Sequence, residues 1–181
     1  MNEFDAVILG QHPRNHHLVV VFAAEEMGSG DGGHPGKLIF SGNFRNAFKK
    51  RRCLIPTDGY YEWKKAGKAK QPYYIHKADQ TPFAMAGLWE SWHTGQEDAV
   101  ESFTVITTEA NEAMATVHDR MPVIVSPDDF EMWLDPEFEG QAPLQSLLRP
   151  YESDDLTLVP VSTIVNSPRN DDPECIRAVA K

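Results

Sequence analysis

The sequence predicts an α+β protein, rich in strand, with a compact, mainly antiparallel sheet or barrel and short flanking helices. Three observations predict it. Apolar, β-branched or aromatic runs recur along the chain, among them "LVVVF", "CLIP", "PYYIHK", "FAMAGLWESW" and "LTLVPV". Segments with helical spacing are few and short, and they do not alternate with strands as a βαβ series requires. The length, 181 residues, suits one domain with a sizeable core, so residues 1–181 are expected to form a single domain.

The elements follow in order. Residues 4–22 hold two apolar runs around "GQHPRNHH", which reads as strand, polar turn and strand. Residues 27–36, "MGSGDGGHPG", are too rich in glycine for regular structure. "FRNAFKKRR" is a short helix, because Phe44, Ala47 and Phe48 recur at spacings of three and four. "CLIPTDGYYEWKK" reads as strand, a turn at Pro56 and Asp58-Gly59, and strand. "AGKAK" is a hairpin tip and "PYYIHK" its return strand, followed by the runs "FAMAGLWESW" and "ESFTVITTE". "ANEAMATVH" has a helical look, with Thr107, Thr108 and Asn111 as capping groups at its start, and "MPVIV" returns to strand. "SPDDFEMWL" predicts a helix capped by Ser126, with Pro127 in its first turn and Asp128 and Asp129 at the positive end of the dipole. "APLQSLLRPY" is a second short helix, "LTLVPVSTIVN" a strand, and "SPRNDDP" a turn-rich close.

Hydrophobic residues make up 41% of the chain and charged residues 24%, as in ordinary globular proteins. No apolar run approaches the ~18 residues of a membrane helix, and "MNEFDAVILG" has no secretory pattern. With two cysteines, Cys53 and Cys175, the expectation is a reduced, cytoplasmic protein. The net charge of −10 is uneven. Arg45 to Lys77 holds 10 basic and 2 acidic residues, a balance of +8, against −18 elsewhere. That suggests a local anion site. A solvated helix face beside a lysine-rich hairpin tip accounts for the same charges.

No Cys-x-x-Cys pair, His-Glu-x-x-His, P-loop or dinucleotide fingerprint occurs, so no metal or cofactor is expected. His12, His16, His17 and His34 are irregularly spaced in turns and read as surface histidines. Glu62 sits in "GYYEWKK". In a strand it shares a face with Tyr60 and Lys64, while Tyr61 and Trp63 share the other. A carboxylate among aromatics suits acid/base work; a surface glutamate paired with lysine is the alternative. His118 precedes "MPVIV" and is a candidate acid/base, or a residue complementing a helix end. Arg120, two positions on, could join it in holding a phosphate. Cys53 follows four basic residues but opens an apolar run, and Cys175 lies in "DDPECI", so neither is an attractive nucleophile.

Six segments, "FRNAFKKRRCLIPTDGYYEWKK", "KQPYYI", "AGLWE", "FTVITTEAN", "HDRMPVIV" and "PVSTIVNSPRND", together resemble the SOS response-associated peptidase (SRAP) family of abasic-site processing proteins. They occur in the family's order over residues 44–170. The resemblance implies recognition of abasic sites in single-stranded DNA during the DNA damage response. It implies a covalent link to the sugar aldehyde through an N-terminal cysteine whose amine and thiol close a thiazolidine ring. Glu62 would orient the amine and shuttle protons, and His118 would assist ring opening and reversal. Arg120, Trp63, Arg45 and Thr107 would be DNA contacts.

Two departures stand out. Position 2 is Asn2, and "FAAEEMGSGDGGHPGKLIFSGN" has neither the family's Trp-Gly-Leu-Ile-Pro segment nor its Asn-Ala-Arg. Residues 1–43 are therefore divergent or truncated relative to the family, and impaired crosslinking is expected. The expectation is an SRAP-type hydrolase or lyase-like enzyme, monomeric, acting on single-stranded DNA without a cofactor or membrane. The alternatives are a non-catalytic single-stranded DNA binding module and a peptidase.

Overall fold

The computed structural model describes residues 19–21, 42–92, 100–152 and 154–179. Most of the predicted 4–22 hairpin, the glycine-rich 27–36 loop and the four turn histidines lie outside the described residues.

The strand-rich α+β reading holds. One sheet has the order β1 (Val19–Val21), β6 (Val100–Val105), β5 (Phe83–Trp92) and β2 (Arg52–Thr57), with β9 (Ile124–Val125) also pairing β5. A second has the order β10 (Leu156–Pro160), β4 (Ala69–Lys77), β3 (Gly59–Ala66). A two-stranded ribbon joins β7 (Thr107–Glu109) to β8 (Arg120–Pro122). All described pairings are antiparallel except β1 with β6.

Burial shows the layering. β5 alternates: Phe83 and Met85 join a cluster with Ile55, Tyr60, Ile75, Met114, Met121 and Leu156, which fills the space between the two main sheets. Ala86 and Leu88 face the other way, against Ala47, Phe48, Trp133 and Leu144. That second cluster is the helix layer: α1 (Gly42–Lys50), α2 (Phe130–Leu134) and α3 (Gln141–Ser146). A third, smaller cluster seats Tyr61, Val161, Val165 and Cys175 on the outer face of β3 and β4.

Local chemistry explains the tight places. β3 and β4 turn at Gly67, whose φ of 65° is left-handed, and the register Ala66 opposite Ala69 leaves a two-residue loop. Gly87 has no room for a side chain: a Cβ there would lie 2.6 Å from Ile55 Cδ1 and 2.9 Å from Cys53 Sγ.

Four predicted elements are corrected. "ANEAMATVH" forms only a 3-10 turn, Met114–Thr116, not a helix. Asn111 does cap it, its side-chain oxygen accepting the Met114 N–H at 2.9 Å, but Thr107 and Thr108 belong to β7. "MPVIV" is two strands, because Val123 leaves the ladder. Its N–H donates to Ile106 O at 2.8 Å, the Ile106 N–H to Ala86 O at 2.9 Å, and the Ala86 N–H to Val123 O at 2.8 Å, closing a ring. Ser126 makes no side-chain cap; Pro127–Asp129 is a 3-10 turn that leads into α2. The last strand stops at Pro160, and Thr163–Asn166 is a 3-10 turn.

Candidate active site

Glu62 is 6% exposed, although it lies one step from the exposed Lys64 on its own face of β3. Alternation explains the position. Tyr60, two residues earlier, is fully buried between the sheets, so Glu62 occupies the next inward place, where the inter-sheet space opens. Its cross-strand neighbour is Tyr73. The Tyr60 phenol is held in its neutral form, first by burial and then by the nearby Glu62 carboxylate.

Tyr60 leads on to His118. Its hydroxyl donates to Met114 Sδ at 3.5 Å, and Met114 O accepts the His118 N–H at 2.9 Å. The strand carrying Glu62 and the turn carrying His118 thus meet through two fully buried side chains, Tyr60 and Met114. The turn is pinned a second time by Asn111, whose amide donates to Tyr151 O at 2.8 Å.

The His118 side chain is 19% exposed. Its Nδ1 accepts the Arg120 N–H at 3.1 Å, which leaves Nε2 to carry the proton in the neutral ring. Nδ1 also lies 3.3 Å from the exposed Asp119 carboxylate, a ready partner for the charged ring. Arg120 is fixed by Thr107: Nη2 donates to Thr107 Oγ1 at 2.7 Å and to its carbonyl at 2.8 Å, and Nε donates to Oγ1 at 3.1 Å. On the other face of the same ribbon, Thr108 Oγ1 is buried and has no hydrogen-bond partner among the described residues.

The structure brings Glu62, His118, Arg120 and Thr107 into one connected set. Two other candidates stand apart from it. Trp63 lies on the opposite face of the β3–β4 ladder from Glu62, with its indole N–H donating to Asn166 Oδ1 at 2.8 Å. Arg45 is exposed in the first turn of α1, on the helix side of the β2–β5 sheet. Sequence reading missed Tyr60 and Met114 as the link; the signal was the period-2 spacing of Tyr60 and Glu62. The thiols are free, as expected, and burial pushes Cys53 up to about 11. Among the described residues, no group of His, Cys, Asp and Glu could hold a metal, and no helix is long and apolar enough to cross a membrane.

A buried carboxylate, a largely buried imidazole and a guanidinium anchored by Thr107 are thus tied together by the Tyr60–Met114 contact and the β7–β8 ribbon. A family profile described as SOS response associated peptidase (SRAP) matches residues 36–168. The chain belongs to this family. Abasic site processing protein YoqW of Bacillus subtilis (strain 168) is 43% identical over 137 residues, covering 75% of this chain and 61% of the relative. Abasic site processing protein HMCES of Xenopus tropicalis is 37% identical over 154 residues, covering 73% and 44%. A crystal structure of a protein from Bacteroides thetaiotaomicron superposes with a TM-score of 0.71 at 30% identity, covering 81% of this chain and 64% of that one. The chain spans about three fifths of the length of the bacterial curated relatives it matches.

Proposed function

We propose that this chain recognises abasic sites in single-stranded DNA and supplies the acid/base half of their processing. The observation that carries the reading is Glu62, buried at the mouth of the inter-sheet space and linked through Tyr60 and Met114 to the His118 turn. An abasic sugar is a cyclic hemiacetal, and opening it needs a proton delivered to the ring oxygen and one removed from the hydroxyl. His118, with its proton on Nε2, serves as the donor and Glu62 as the acceptor. Arg120, held by Thr107, suits the flanking phosphate. The relatives' names as abasic site processing proteins support the same substrate.

In the family chemistry implied by the resemblance, an N-terminal amine condenses with the aldehyde, releasing water, and the thiol adds to the imine carbon. Asn2 brings no thiol at that position. The described residues support recognition and proton transfer. The test uses strands with and without one abasic residue. Preferential binding of the abasic strand, weakened at least tenfold by Glu62→Gln or His118→Ala with folding unchanged, is the expected result. Equal binding of both strands overturns the reading.

A further inference from the structure

The basic segment 45–77 divides into cations that the fold uses and cations that it leaves outward. Lys50 Nζ lies 3.5 Å from Glu137 and 3.9 Å from Glu139, and donates to Pro136 O at 3.1 Å. Arg51 pairs with Glu90 at 2.7 Å, and Arg52 is buried among backbone carbonyls. These three hold α1 to its neighbours. The β3–β4 tip differs. Lys64, Lys65 and Lys68 are exposed and make no ion pair among the described residues. Lys65 stands directly opposite Lys70 in the ladder. The Gly67-Lys68 loop brings a further cation to the same end.

Alternation fixes which face this pair occupies. Trp63 opposes Pro72 and Tyr61 opposes Tyr74, so Lys65 and Lys70 share the face of Tyr61, Trp63 and Tyr74. Trp63 is part-exposed there, and its ring is anchored by Asn166. Two residues beyond Trp63, about 7 Å along the strand, come the opposed ammonium groups.

We propose that the β3–β4 tip, with Lys64, Lys65 and Lys68, is a phosphate-gripping finger for single-stranded nucleic acid. It engages the backbone beside a nucleotide whose base stacks on Trp63. The proposal rests on the strand-binding reading above and adds a second contact outside the Glu62–His118 set. An anchored aromatic ring followed by a cation cluster suits unpaired bases and their phosphates. A duplex offers the same phosphates but keeps its bases stacked away from Trp63.

The test measures anisotropy of a labelled oligothymidine without an abasic residue, across about 50 to about 300 mM salt. It compares the full chain with Lys64→Ala/Lys65→Ala/Lys68→Ala. Each single-strand phosphate contact contributes about 0.7 to the log–log salt slope, so the triple variant should lose about 2 from it. Affinity at low salt should fall on the order of tenfold or more. The Lys50→Ala control, which removes a cation already paired with Glu137 and Glu139, should keep the parent slope, as should the triple Lys→Arg variant. Circular dichroism should be unchanged, because all three lysines are exposed. A parent that binds, with the slope retained in the triple alanine variant, overturns the finger alone. A loss seen only with duplex overturns it too. A parent that binds neither plain nor abasic single strands overturns the proposed function along with it.

Discussion

Replacing Arg52 with methionine tests how the helix layer is fixed to the sheet. Arg52 is 6% exposed. Its guanidinium donates to the carbonyls of Phe48 at 2.7 Å and Lys49 at 2.6 Å, near the end of α1. It also donates to Trp133 O at 2.7 Å and to Asp135 O, at the end of α2. The last carbonyls of a helix lack intrahelical donors, so one side chain closes both helices. Methionine keeps the apolar length and removes every donor. The bonds to Phe48 and Trp133 are buried, and each orphaned buried carbonyl costs about 1–3 kcal/mol. The other two bonds are part-buried, where water can substitute. Some cost is recovered, because burial disfavours the charged guanidinium: its pKa is lowered by desolvation, with Asp135 opposing. The net loss should be about 2–4 kcal/mol. Urea unfolding followed by tryptophan fluorescence reads it, since Trp133 is fully buried beside the change. With a slope of about 2 kcal/mol per molar, the midpoint should fall by about 1–2 M. A midpoint within roughly 0.3 M of the parent refutes the clamp.

Gly87→Ala should cost about 1–3 kcal/mol in the same assay, because the new methyl meets Ile55 Cδ1 at 2.6 Å, Cys53 Sγ at 2.9 Å and Thr104 O at 3.1 Å; an unchanged midpoint would show that β2 shifts freely. Alkaline pH should destabilise the fold: burial pushes Cys53 up to about 11, and Tyr61 and Tyr74 up to about 12. The folded protein keeps protons that the unfolded chain has released, so stability is full below the unfolded values of 9.0 and 10.0 and declines as pH rises towards the folded ones. Urea midpoints that stay flat between about pH 8 and about pH 11 would contradict this. Thr107→Val removes both hydrogen bonds to Oγ1 that aim Arg120. Binding of abasic single strands should weaken about tenfold with thermal stability little changed; retained affinity would remove Arg120 from the proposed contacts.

The sequence made some parts of the fold legible because the signal was local. "FAMAGLWESW" is β5 from end to end, and "FRNAFKKRR" lies in α1 because Phe44, Ala47 and Phe48 share a face. Hidden parts were set by distant partners. Val123 is as apolar as its neighbours, so nothing in "MPVIV" marks the break that Ala86 and Ile106 impose. "ANEAMATVH" has good helix formers, yet Asn111 ties its start to Tyr151 and the chain turns into β8 after one 3-10 turn. The site divides in the same way. Alternation told that Glu62 shares a face with Tyr60, but only the second sheet decides that this face points inward. The basic segment read as one +8 patch; the structure splits it into helix-layer ties and an outward hairpin tip.

The ring of three hydrogen bonds among Ala86, Ile106 and Val123 also explains why the candidate site sits where it does. A strand that stayed in the β5–β6 ladder would keep both of its edges engaged and its side chains between packed layers. At Ile106 and Val123 the chain instead leaves that sheet, while every N–H and C=O in the ring stays satisfied, so the departure carries no buried polar cost. The two freed segments then pair with each other as β7 and β8. The result is a short ribbon that projects Thr107 and Arg120 with His118 at its root, anchored by residues exposed 8% or less. A charged group that must meet a phosphate is best held on a rigid element close to solvent. The Ile106–Val123 corner meets both conditions: it lifts Arg120 out of the packed sheet and keeps its backbone tied to the core.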